Sequence, residues 1–224
     1  MSSYEIEIKC LLGEENRANE LVSKMKELDP ELTFSGSERQ KNHYFIDGEI
    51  RSLPVKIKPF LDEADFALLA ETAKKTSDYS VRTRENDKGV FLVIKASIDD
   101  TTSANGIARL ELELPVQLSL DELDKLILET GFLYQAKWSR ERNSYRFLDV
   151  SVSIDKNAGY GYLTEFETLI DDAAKAEETK ENLRLLIRQL GLVELEQERL
   201  SRMFAHYNEH WPEYYGTDKI FVIE

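Results

Sequence analysis

The sequence predicts an α+β fold: a closed eight-stranded antiparallel β-barrel, or tunnel, with helices packed outside. Three observations predict it. Several short runs alternate strictly between charged and apolar residues, as in Glu5-Ile6-Glu7-Ile8-Lys9 and Arg109-Leu110-Glu111-Leu112-Glu113, which is the period of a strand with one apolar face. Most of these runs follow one another through short turns, which favours hairpins over βαβ winding. Their number, about eight, is enough to close a sheet around an interior that holds side chains or one small ligand.

The elements follow in order. Residues 4–10 alternate and read as a strand, and residues 14–28 read as a helix stopped by Asp29-Pro30. A strand at 40–47 carries Tyr44-Phe45-Ile46 and ends near Asp47-Gly48. Residues 60–78 have apolar residues at helical spacing, and strands follow at 79–86, 90–97 and 106–115. Ser119-Leu120-Asp121-Glu122 is a capping box; its Ser and Glu side chains satisfy each other's backbone N–H. The helix it opens closes at Gly131. Strands return at 134–145, 147–155 and 162–169, and two helices fill 172–190 and 194–210. No repeat or flexible linker divides the chain. The expected organisation is one domain over 1–210, with 52–78 as an insertion and 211–224 as a C-terminal extension. The bland role for the insertion is a surface decoration. The sharper one is a lid whose lysines (Lys56, Lys58, Lys74 or Lys75) steer phosphate.

Composition narrows the function classes. The chain has 224 residues, 42% of them hydrophobic, which suits a globular core. The net charge of -14 argues against general nucleic-acid binding. No apolar run approaches the ~20 residues of a membrane span, and the N-terminus has no signal-peptide pattern. The single cysteine, Cys10, cannot form an intrachain disulfide, which favours the cytoplasm.

The charged strand faces carry the chemistry. Glu5, Glu7 and Lys9 share one face, as do Arg82 with Arg84, Arg109 with Glu111 and Glu113, and Glu165 with Glu167. For any one strand a solvated polar face is the simpler explanation. The repetition of Glu-x-Glu, twice with a basic residue two positions away, favours a shared role. Carboxylates suit Mg²⁺ or Mn²⁺, and clustered Arg and Lys suit phosphate. Together they suit a polyphosphate carrying its metal.

These segments resemble, in order, the motifs of the CYTH superfamily, the triphosphate tunnel metalloenzymes. Glu5-Ile6-Glu7-Ile8-Lys9 is similar to its ExExK signature, Arg82-Thr83-Arg84 to its RxR strand, and Lys95 to the lysine of the next strand. Arg109-Leu110-Glu111-Leu112-Glu113 resembles RxExE, and Arg140-Glu141-Arg142 with Tyr145 resembles its K-x-R segment. Asp155, Gly159, Gly161, Leu163, Glu165 and Glu167 follow D-x3-G-x-G-x-[FL]-x-E-x-E. The resemblance implies an eight-stranded tunnel in which Lys9, Arg82, Arg84, Lys95, Arg109 and Arg142 contact phosphates. Glu5, Glu7, Glu111, Glu113, Asp155, Glu165 and Glu167 would hold Mg²⁺ or Mn²⁺ or position water and basic groups. The implied activity is metal-dependent hydrolysis of inorganic triphosphate or of an organic triphosphate. A class IV adenylyl cyclase and a polyphosphate-binding module with weak turnover are the alternatives.

One position departs from the pattern. The family's hydrolases commonly have lysine where this chain has Arg140, and arginine is never deprotonated in proteins. A carboxylate can act as the base, Lys137 can take a shifted role, or Arg140 can work only through its charge. The catalytic candidates are therefore Lys9, Arg140 and Lys137. His206 and His210 have metal-binding spacing but lack the zincin glutamate between them, and Cys10 reads as a packed thiol. The aromatic stretch from Trp211 to Phe221 can pack on the barrel end or mediate a homodimer.

Overall fold

The computed structural model describes residues 4–76, 78–97 and 109–224. Its strands are β1 (Tyr4–Gly13), β2 (Thr33–Ile46), β3 (Tyr79–Asn86), β4 (Gly89–Ser97), β5 (Arg109–Val116), β6 (Leu133–Phe147), β7 (Val150–Asn157) and β8 (Gly161–Ile170). Its α-helices are α1 (Glu15–Leu28), α2 (Leu53–Ile57), α3 (Glu63–Lys75), α4 (Leu120–Leu128), α5 (Ala176–Gln189) and α6 (Gln197–Tyr214). The strands form one sheet in the order β1-β8-β7-β6-β2-β3-β4-β5. Hairpin neighbours pair antiparallel, as expected, and so do β1 and β8. The expected barrel is closed, but among the described residues no ladder joins β5 back to β1. The described residues form an eight-stranded antiparallel sheet with six α-helices.

The chain divides into two compact units, residues 1–39 with 139–224 and residues 40–138. Each has its own core on the apolar face of its strands. In the first unit, Ile8, Cys10 and Leu12 of β1, Val152 and Ile154 of β7 and Phe166 of β8 pack with Leu21 and Met25 of α1 and Leu183 and Ile187 of α5. In the second, Phe45, Val81, Leu92, Ile94, Leu112 and Leu114 pack with Leu53, Ile57, Leu69, Leu123 and Ile127 of α2, α3 and α4. Each such side chain stabilises the fold by about 1.5–3 kcal/mol when fully buried. Among the described residues no helix is long and apolar enough to cross a membrane.

Three details refine the sequence reading. β2 begins at Thr33 rather than at 40, because its first half is mostly exposed and polar and shows no apolar period. The helix expected at 60–78 is α3, capped by Asp62, whose carboxylate accepts from the Asp65 N–H at 2.8 Å. It is preceded by α2, and the segment 52–78 is no mere decoration: Leu53, Ile57 and Leu69 are fully buried in the second core. Finally, Gly161 has φ +71°, and a Cβ there would lie 2.1 Å from the Gly13 carbonyl oxygen, at the irregularity in β1. Only glycine meets both demands without strain.

The C-terminal stretch folds back on the first unit. Phe221 N–H donates to Gly159 O at 2.6 Å, and Phe221 packs against Tyr160, His206 and Tyr214. The His206 and His210 rings lie tilted at 44° to each other with centroids 4.5 Å apart.

Candidate functional site

Strand register assembles the charged face of the first unit. Glu7 of β1 lies directly opposite Glu167 of β8, and Lys9 lies opposite Glu165. On the next strand Ser151 faces Glu167 and Ser153 faces Glu165. One strand further, Arg142 lies opposite Asp155 and Ser144 opposite Ser153. Alternation puts all of these on the side away from the apolar core.

The side chains are tied into one network. Arg142 donates to Asp155 through Nε at 2.7 Å and Nη2 at 2.6 Å, and through Nη2 also to Glu165 Oε2 at 2.5 Å. Lys9 Nζ donates to Glu165 Oε1 at 2.8 Å and also pairs with Glu7. Arg140 Nη1 lies 3.5 Å from Asp155 Oδ2. The Asp155 side chain is 2% exposed, so its charge is tolerable only because the two arginines neutralise it. Burial pushes the Glu165 carboxyl upward, but the charges and hydrogen bonds of Lys9 and Arg142 outweigh it and hold it below its ordinary value. Burial likewise works against the Arg142 charge, yet Asp155 and Glu165 raise its pKa overall. A cavity of about 220 Å³ opens here, lined by Arg142, Arg146, Ser144, Ser153, Glu165 and Glu167 among others.

The second unit has a different face. Asn42 pairs with Arg84 and Tyr44 with Arg82 across β2 and β3, while Ser80 faces Lys95 across β3 and β4. Arg84 donates through Nε to Asn42 at 3.0 Å and through Nη1 to Glu113 at 3.1 Å. Arg82 sits 5.0 Å from the Tyr44 ring centroid and donates weakly to its hydroxyl at 3.3 Å. Although Arg82 is only 9% exposed, its Nε has no hydrogen-bond partner among the described residues. An orphaned charged donor is costly, and an anion would satisfy it.

The predicted residues therefore separate into groups. Glu7, Lys9, Arg140, Arg142, Asp155, Glu165 and Glu167 share the first face. Arg82, Arg84 and Glu113 share the second, and register puts Lys95 opposite Glu111 there. The side chains of Glu5, Arg109 and Glu111 lie outside the described residues. Lys137 belongs to the second unit, its Nζ 3.8 Å from buried Asp124 and over the Tyr134 ring. Cys10 is 1% exposed, and burial, with a contribution from Glu194, pushes its thiol up to about 12. It is no nucleophile.

Sequence reasoning did not single out His43 or Asp124, which form a buried pair in the second unit. One signal was present. Asp124 falls on the apolar stripe of α4, in line with Leu120, Leu123 and Ile127, where a carboxylate needs buried partners.

For a metal, the test is the donor set. Among the described residues no group of three or more His, Cys, Asp or Glu side chains could hold an ion unaided. Mg²⁺, however, is commonly bound by one or two carboxylates together with substrate phosphates. Glu7 and Glu167, directly opposite on neighbouring strands, fit that requirement, since such pairs have Cβ atoms about 4.5–5.5 Å apart.

No family model and no curated protein matches the chain. Solved structures do. PH1819 from Pyrococcus horikoshii OT3 is 22% identical with a TM-score of 0.54, over 91% of this chain and 99% of that one. PH1012 from the same organism is 19% identical with a TM-score of 0.52, over 87% and 93%. A candidate adenylate cyclase from Vibrio parahaemolyticus is 13% identical with a TM-score of 0.54, over 92% and 99%. The chain shares the fold of these structures. In this fold each charged motif occupies a strand of the sheet, and its described alternate residues share the face away from the core.

Proposed function

We propose that the protein is a metal-dependent triphosphatase that uses Mg²⁺ or Mn²⁺ to cleave inorganic triphosphate or an organic triphosphate. The observation that carries this reading is the opposed carboxylate pair Glu7–Glu167, set beside the Lys9–Glu165–Arg142–Asp155 network. Like charges directly opposite on adjacent strands are destabilising, so the pair makes sense as part of a cation site. Glu7 and Glu167 would hold the metal together with substrate oxygens, Glu5 adding a third carboxylate. The metal would supply charge neutralisation at the phosphoryl oxygens when bound.

The chain's own groups do the rest. Lys9 and Arg142 are held by Glu165 in fixed positions, so little reorganisation is needed when they meet phosphate charge. Arg82 offers an Nε with no hydrogen-bond partner among the described residues, Arg84 and Lys95 belong to the same unit, and the proposal adds Arg109 to the phosphate-binding groups and Glu111 to the carboxylates. Phosphoryl transfer asks mainly for such positioning and charge stabilisation. Arg140 cannot accept a proton, and Lys137 is engaged near Asp124. Arg140 therefore contributes charge, and a carboxylate accepts the proton of the attacking water.

The test is turnover of inorganic triphosphate, ATP and thiamine triphosphate with each metal, measuring phosphate, pyrophosphate and cyclic AMP. Phosphate is the expected product. Cyclic AMP as the main product would replace this reading with a cyclase, the activity suggested by the name of the Vibrio neighbour. Tight triphosphate binding without turnover would replace it with a binding module. Glu7→Gln should lower metal-dependent turnover at least ~100-fold with an unchanged melting curve, since a transition-state charge contact is worth about 3 kcal/mol.

A further inference from the structure

Behind the basic face of the second unit, a polar cluster interrupts the apolar core. Asp124 of α4 is 1% exposed and accepts three hydrogen bonds: from His43 Nδ1 at 2.6 Å, from Thr83 Oγ1 at 2.6 Å and from the Tyr134 hydroxyl at 2.7 Å. Lys137 Nζ lies 3.8 Å away. His43 and Thr83 are themselves 2% and 0% exposed. Replacing such a buried polar group with a packed aliphatic is commonly neutral or stabilising, so the core alone does not explain it.

The sequence positions of its partners do. His43 and Thr83 are cross-strand partners in the β2–β3 ladder. The pairs on either side of them, Asn42–Arg84 and Tyr44–Arg82, point to the opposite face. There Asn42 holds the Arg84 guanidinium and Tyr44 stacks on that of Arg82. One carboxylate thus grips both strands from behind, midway between the two arginines. A slip of one residue between β2 and β3 would turn every one of these side chains to the wrong face.

We infer that Asp124 is a positioning residue for anion binding: through His43 and Thr83 it locks the strand pair that aims Arg82 and Arg84. The identity of the anion rests on the proposed function; the clamp itself rests on the geometry of the second unit. It acts through other residues and touches no substrate, so its loss should weaken binding and leave the chemical step alone.

Thr83→Val removes one arm of the clamp while keeping shape, and Thr83→Ser keeps the hydroxyl. With inorganic triphosphate and Mg²⁺, Thr83→Val should raise KM about tenfold, equivalent to about 1.4 kcal/mol, with kcat within about twofold. Hydrogen exchange should quicken across Asn42–Phe45 and Val81–Glu85 and stay unchanged in the β1–β8 ladder. Thr83→Ser should match the parent in both measurements. Asp124→Ala should shift both in the same direction as Thr83→Val and further. A folded Thr83→Val protein with the parent's KM, or with the parent's exchange in β2 and β3, overturns the inference. Parent protein that neither binds nor cleaves triphosphate overturns the proposed function instead, and the exchange comparison then decides the clamp on its own.

Discussion

The two units build the same kind of surface, a charged strand face backed by an apolar one, and finish it in opposite ways. On the first, the described cluster has three cations (Lys9, Arg140, Arg142) and four carboxylates (Glu7, Asp155, Glu165, Glu167), nearly all bonded to one another. On the second, Arg84 is held by Asn42 and Glu113, and the Arg82 Nε is unpartnered among the described residues. The first face holds its charges in place by mutual neutralisation. The second leaves one guanidinium donor, the Arg82 Nε, unsatisfied among the described residues and is supported from behind through Asp124. A face that is internally satisfied can carry a metal with little rearrangement; a face with an orphaned guanidinium N–H is suited to draw an anion.

Removing a partner should therefore hurt the first unit's stability most. Asp155→Ala strips Arg142 of a bidentate carboxylate in a site where Asp155 is 2% exposed. Breaking a buried pair from one side costs about 3–5 kcal/mol. Urea unfolding followed by the fluorescence of Trp211, which lies in the first unit, measures this directly. A loss under about 1 kcal/mol would show that the network is only a solvated surface array.

The matching change in the second unit should do the reverse. Arg82→Met removes a stacked guanidinium worth about 0.5–1 kcal/mol but also relieves a buried unsatisfied donor costing about 1–3 kcal/mol. Stability should therefore hold or rise, by up to about 2.5 kcal/mol. Triphosphate affinity, in contrast, should fall roughly 10–100-fold, because a charge-assisted hydrogen bond is worth about 1.5–3 kcal/mol. Calorimetric titration of the variant checks both halves. Unchanged affinity would remove Arg82 from the site.

The contrast between the units also marks what the sequence could reveal. Alternation in Glu5-Ile6-Glu7-Ile8-Lys9 and in Glu165-Phe166-Glu167 exposed the charged faces directly, because period-two patterning is local. Pairing is not local. Nothing in the order of residues says that Glu7 lies opposite Glu167, or that Lys137 comes within 3.8 Å of Asp124. The same limit hid the first half of β2, whose strand character comes from its neighbours and not from an apolar period. His43 was not singled out because its partner is 81 positions away.

Acid titration gives the smallest and most selective comparison. Glu165 and Asp124 both have carboxyl pKa values lowered below the ordinary 4.5 and 3.8. For Asp124, burial alone would raise the value, and the bonds from His43, Thr83 and Tyr134 reverse it. A folded-state value below the unfolded one means that each contributes stability above its ordinary pKa, and loses it as pH falls through the lower, folded value. Each unit should therefore have its own acid limb, beginning near 4.5 in the first and near 3.8 in the second. The two tryptophans separate them, Trp211 reporting on the first unit and Trp138 on the second. Urea midpoints between pH 7 and 2 should fall in both single-tryptophan proteins. Glu165→Gln should flatten the limb seen by Trp211 and leave that of Trp138 in place, and Asp124→Asn should do the converse. If either substitution flattens both limbs equally, the two networks titrate as one, and the division of labour between a neutralised face and a clamped one fails.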